Sequence, residues 1–159
     1  KLLEDEKDVH FLFIGEGSGK AEVVARASEL ELENVTFCTF VDRAELNTSL
    51  NAADVSVLAF KKGMSGISVP SRLYNLMAAG KPILGVVDNN SEVADVIREA
   101  KLGIAVSPES PRNLAEQILS LRNDGDLRVK MAENSRNEAV SKYSYDVTKQ
   151  QYRDLFNSL

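Results

Sequence analysis

The chain has 159 residues, 43% hydrophobic and 27% charged, with 19 Lys and Arg against 24 Asp and Glu for a formal net charge of −5. That composition excludes wholesale disorder, collagen and coiled coil, and suits one globular domain spanning residues 1–159 with a sizeable core. The acidic balance argues against nucleic acid or an anionic membrane as a general partner. A lone cysteine, Cys38, rules out an internal disulfide, and a lone histidine, His10, argues against a His-based metal site. No metal and no cofactor are expected. There is no apolar run of membrane-span length and no signal-peptide pattern, so a reducing cytoplasm is the expected compartment. The charged opening run from Lys1 reads as the start of a fragment of a longer polypeptide.

Residues 9–14 form an apolar run of strand length that stops at Gly15, and its continuity predicts a parallel strand buried on both faces. Val23, Val24, Ala27 and Leu30 then recur at helical spacing. Residues 35–41 predict a second strand, with Cys38 as a small core residue. Asp42 with Glu45 three positions on predicts a capping box for a helix running to about Asn51. Residues 55–60 predict a third strand, followed by a Gly/Ser loop over 61–68. Pro70 and Ser71 open a helix through Ala79, closed by Gly80 and Pro82. A fourth strand is expected over 83–87, and Ser91 begins a helix with Val93, Val96, Ile97 and Ala100 on one face. Residues 103–106 predict a short fifth strand. Three helical stretches follow, patterned by Leu114, Ile118 and Leu121, by Leu127, Met131 and Ala139, and by Tyr145, Thr148 and Tyr152. Strand–helix alternation with short connections predicts a Rossmann-like three-layer α/β/α arrangement with a parallel sheet. Such sheets bind ligands beyond the carboxyl ends of their strands.

Two strand-to-helix loops could carry chemistry. The first runs Gly15-Glu16-Gly17-Ser18-Gly19-Lys20. Its glycines would let the backbone approach a ligand, and the N–H groups of the next helix could hold an anion. It is neither a P-loop nor a full dinucleotide fingerprint, because Lys20 stands at the third glycine position. A plain tight turn after a buried strand accounts for it equally well. The second loop, residues 63–72, leads into the helix at Pro70. Gly66 and Ser68 could present donors there. Arg72 falls in the first helical turn, where a cation opposes the helix dipole, a placement explained if an anion binds nearby. A surface arginine paired with a carboxylate is the other reading. His10, Tyr74 and the early acids Glu4, Asp5, Glu6 and Asp8 read as edge, packing and solvated positions. No catalytic residue can be assigned. From the residues alone, the reading is an α/β domain that binds a nucleotide or phosphate ester.

The blocks "FLFIGEG", "NVTFCTFVDRAEL", "ADVSVLAF", "GISVPSRLYNLMAAGKPIL" and "GIAVSPESPRNLAEQI" stand in the order found in group 1 retaining glycosyltransferases. The chain resembles the C-terminal, nucleotide-sugar-binding domain of that family's GT-B fold, in its bacterial polysaccharide-biosynthesis branch. The resemblance implies that Gly15 and Gly17 pass close to the nucleotide and that Phe40, Val41 and Asp42 border its base. It implies that Gly66, Ile67 and Ser68 offer backbone donors to the donor diphosphate, with Arg72 adding charge. Stabilising that leaving group is the physical core of such a transfer. Where many members carry two Glu, this chain has Ile67 and Asn75, and Asn75 keeps hydrogen-bonding capacity toward ribose without charge.

The implied function is transfer of a sugar from a nucleoside-diphosphate sugar to a glycan or lipid-linked acceptor held by an N-terminal domain absent here. In the full-length protein the site would be cytoplasmic, at the inner face of the membrane. The alternatives are a non-catalytic nucleotide-sugar-binding or scaffold domain and, with less in its favour, a nucleotide-sugar epimerase. The family's first strand, central in its sheet, is missing from this chain. Two unpaired edges would result, and the expectation is that a swapped segment, a rearrangement or a partner chain fills the gap.

Overall fold

The computed structural model describes residues 1–63 and 70–158. Two compact units make up the chain, Lys1–Ala53 and Asp54–Leu159.

In the first unit, β1 (Phe11–Ile14) pairs in parallel with β2 (Val35–Cys38), Phe11 opposite Val35 and Ile14 opposite Cys38. The crossover between them is α1 (Lys20–Glu29), after which Glu31 adopts a left-handed φ of 52°. Phe13 and Phe37, partners in register, stack with centroids 5.2 Å apart. The Asn34 amide donates to Leu3 O (2.8 Å) and Val9 O (3.2 Å), holding the buried Leu3 and Val9 against the start of β2. His10 lies just ahead of β1, and its ring is bonded to Thr36 Oγ1 at 2.8 Å. A tight turn over Arg43–Glu45 leads into α2 (Leu46–Asn51).

Two expectations change here. β1 is not buried on both faces: Leu12, Phe13 and Ile14 are exposed, Phe13 by 47%. Among the described residues its single strand neighbour is β2, so continuity of apolar residues overstates its burial. No capping box forms at Asp42, whose side chain makes no cap bond. The 3-10 geometry turns the Glu45 N–H onto the Asp42 main-chain carbonyl at 2.9 Å, so the donor a capping side chain would accept is already taken. Cys38 is half-buried.

In the second unit, β3 (Ser56–Ala59), β4 (Ile83–Val86) and β5 (Gly103–Val106) form a parallel sheet in that order, with Ser56, Ile83 and Gly103 aligned. The crossovers are α3 (Ser71–Ala78) and α4 (Glu92–Glu99). The central strand carries the core, with Ile83 and Leu84 fully buried. Gly103 is required by close approach, since a Cβ there would sit 1.8 Å from Ile83 O. Ser91 caps α4 by accepting the Ala94 N–H at 3.2 Å. Gly80, at φ 65°, closes α3 through its N–H to Met77 O.

Three helices end the chain, α5 (Pro111–Asn123), α6 (Gly125–Lys142) and α7 (Tyr145–Asn157). α6 packs on α3. Leu73 and Met77 are buried in this unit, and Tyr74 meets Tyr143 at 4.8 Å. Ser135 of α6 is fully buried and donates to Lys81 O at 2.8 Å.

The α/β class and the parallel pairing are as expected, but the strands form two sheets instead of one. Among the described residues no further strand pairs beside β1 or β3.

Candidate functional site

In the first unit, Gly15 follows β1 with φ 129°, and its N–H donates to Cys38 O at 3.2 Å. The Phe40 ring stands 3.6 Å from where a Cβ on Gly15 would lie, so β2's exit and the glycine turn are brought together. Phe40 is 73% exposed, leaving an aromatic face open beside that turn. Asp42 is also exposed and Val41 is half-buried. Gly17 has open space around its Cα, and its carbonyl accepts the Lys20 N–H at 3.1 Å. Lys20 Nζ reaches Gly15 O (3.0 Å), Cys38 O (3.1 Å) and Glu16 Oε1 (2.6 Å).

In the second unit, Arg72 and Asn75 are exposed on α3, three residues apart and therefore on one face. Among the described residues Arg72 forms no ion pair and no side-chain hydrogen bond. The reading of Arg72 as half of a surface pair thus lacks its carboxylate. Gly66, Ile67 and Ser68 lie outside the described residues.

Beyond the strand ends of this unit the loops are joined. Gly63 N–H donates to Asp88 Oδ2 at 2.9 Å, tying the loop after β3 to the loop after β4. Lys62 Nζ pairs with Glu109 at 2.8 Å, tying it to the loop after β5, where Glu109 takes φ 64°. The Glu109 hydrogen bond and charge, with Asp88 behind them, hold the Lys62 ammonium above its ordinary pKa. Sequence reading passed over Lys62, Asp88 and Glu109, whose partners are far apart in the chain. It also passed over the bonds of Lys20, for which one signal existed: a lysine at the first position of a helix, where a cation is disfavoured. Among the described residues no group of three His, Cys, Asp or Glu is placed to hold a metal ion, and no helix is long and apolar enough to cross a membrane.

Parallel strands joined by helical crossovers, with a glycine turn and an arginine-bearing helix following their carboxyl ends, define a Rossmann-like α/β protein. The family described as glycosyl transferases group 1 matches residues 1–138, and the chain belongs to it. It is 36% identical over 118 residues to the probable glycosyltransferase WbjE of Pseudomonas aeruginosa, covering 74% of this chain and 29% of that relative's length. Anabaena HepE in complex with UDP superimposes with a TM-score of 0.77 at 20% identity, over 99% of this chain and 44% of that one. The C-terminal domain of the glycosyl transferase group 1 family protein LpcC from Francisella tularensis gives a TM-score of 0.65 at 18% identity, over 89% and 91% of the two chains. The resemblance to group 1 glycosyltransferases read from the sequence blocks is thus confirmed.

Proposed function

We propose that this chain is the donor-binding part of a glycosyltransferase that moves a sugar from a nucleoside-diphosphate sugar to a glycan or lipid-linked acceptor during synthesis of a cell-surface polysaccharide. The acceptor would be held by the rest of the full-length protein, working in the cytoplasm at the inner membrane face. The observation that carries this reading, within a chain of the group 1 family, is the exposed guanidinium of Arg72 in the first turn of α3, which has no ion pair among the described residues.

Breaking the sugar–phosphate bond leaves the shared electron pair and a growing negative charge on the departing diphosphate. A helix N-terminus and a fixed cation stabilise that charge where it develops, which is what lowers the barrier. Arg72 supplies the cation in this scheme, and Gly66, Ile67 and Ser68 supply main-chain donors. Gly15 and Gly17 give the nucleotide a close approach to the backbone, with Phe40, Val41 and Asp42 beside the base. Asn75, one turn on from Arg72, is the neutral partner for ribose hydroxyls. The WbjE name and the UDP bound to HepE support the donor class.

Calorimetric titration of the full-length protein with UDP and GDP tests the reading. Saturable binding of either is expected, and binding of neither refutes it. A second reading, a non-catalytic nucleotide-sugar-binding domain, is favoured by Ile67 and Asn75 standing where many members have Glu. Acceptor-dependent release of nucleoside diphosphate from a nucleotide sugar separates the two.

A further inference from the structure

We infer that Lys20 is a positioning residue for the nucleotide: its ammonium fastens turn 15–19 to the carboxyl end of β2 and makes no contact with phosphate. The inference rests on the proposed role of this turn as a border of the nucleotide.

An ammonium has three N–H groups and accepts nothing. Lys20 Nζ has three acceptors, Gly15 O at 3.0 Å, Cys38 O at 3.1 Å and Glu16 Oε1 at 2.6 Å, so every donor is committed. The geometry of the backbone explains why they converge. Cys38 ends β2, and Gly15 is the first residue beyond β1, whose last residue Ile14 is in register with Cys38. The carbonyls of two parallel strands therefore leave the ladder side by side. Cys38 O already accepts the Gly15 N–H at 3.2 Å, and the lysine takes the oxygen's remaining capacity. At the same place the chain must swing from β1 into α1, through a Gly15 φ of 129° that other residues rarely adopt. Lys20 N–H closes the swing onto Gly17 O at 3.1 Å. One residue thus fixes the turn from both its backbone and its side chain.

Electrostatics point the same way. Two carbonyl dipoles and the Glu16 carboxylate direct negative charge toward one spot. Left uncovered, that spot would repel a phosphorylated ligand. The Lys20 side chain is only 25% exposed, so its cation covers these oxygens from within. Lys20 is also the first residue of α1, where a cation opposes the helix dipole. Its three intramolecular bonds account for that placement without an anion. Among the described residues Arg72 has no such bonds, which separates a fastening cation from one free to meet a ligand.

The test uses the full-length protein and two probes, UDP and uridine, which differ only in the diphosphate. Met and Gln have nearly the helix propensity of Lys, so α1 itself is left undisturbed. If Lys20 positions the turn, Lys20→Met weakens both probes by the same factor, about tenfold for loss of charge-assisted bonds. Lys20→Gln, which can still donate to a carbonyl, recovers part of that loss. If Lys20→Met weakens UDP alone, Lys20 touches phosphate and the inference falls. It also falls if neither probe is affected. Should Lys20→Met not fold, the same comparison is read in Lys20→Gln, where unequal losses overturn it. Wild-type protein that binds neither probe refutes the proposed nucleotide site instead, and the inference with it.

Discussion

Replacing Arg72 with alanine should separate ligand binding from stability. Arg72 is exposed in the first turn of the eight-residue α3, a helix with no acid in that turn and no side-chain cap. The positive end of the helix dipole faces an unneutralised cation, and removing such a charge relieves about 0.3–1 kcal/mol. Alanine is also the better helix former by a few tenths. For a chain of this size about 1 kcal/mol moves Tm by about 2–4 °C. The variant's Tm should therefore hold or rise by a few degrees. Binding should move the other way. A charge-assisted hydrogen bond to a phosphate oxygen contributes about 1.5–3 kcal/mol. At about 1.4 kcal/mol per factor of ten, UDP should bind roughly 10- to 150-fold more weakly. Uridine affinity should not change, and added salt should weaken UDP binding to wild type more than to the variant. Calorimetry and thermal denaturation of the full-length protein read both quantities. UDP affinity within about twofold of wild type together with a lowered Tm would refute the reasoning, because Arg72 would then be a structural residue.

Three further outcomes are expected. Asn75→Glu should tighten UDP binding several-fold by adding an anionic acceptor for ribose hydroxyls. An unchanged Kd would show that this face of α3 meets no ribose. Ser135→Ala removes a buried bond to Lys81 O, a loss of about 1–3 kcal/mol, and should lower Tm by about 2–12 °C with UDP affinity unchanged. Tyr143, whose pKa is raised above 10.0 by burial and then by the neighbouring Tyr74, keeps its proton longer in the folded state than in the unfolded one. Its contribution is complete below pH 10.0 and is lost as pH rises through the folded value, so Tyr143→Phe should flatten the decline in urea midpoint between about pH 9 and 11.

Much of the fold was legible because its signals are local. Residues 103–106 announce a strand through a short β-rich run and form one. Ser91 is a capping residue by type, and its hydroxyl accepts the Ala94 N–H. Gly80 stops α3 as its left-handed φ allows. Burial of β1 was misjudged, since a strand's exposure is set by neighbours its own residues do not encode. Ser135 was passed over because a serine on a helix reads as surface, while its partner Lys81 lies 54 residues away. The bonds of Lys20 to Cys38 and of Lys62 to Glu109 span 18 and 47 residues, and a backbone carbonyl leaves no mark in a sequence. The family blocks were readable as blocks. That Lys20 fastens the scaffold became visible only from its bonds.

Two hydrogen bonds from α6 hold the heel of α3. Ser135 holds Lys81 O, and the Arg136 guanidinium holds Ala78 O at 2.6 Å, both at the carboxyl end of α3. Leu73 and Met77 seat the inner face, while Ser71 and Arg72 stand in solvent ahead of them. The heel of α3 is thus fastened through its backbone carbonyls, while the Arg72 side chain in its first turn is exposed. Amide protons toward the heel should therefore exchange more slowly than those of the first turn.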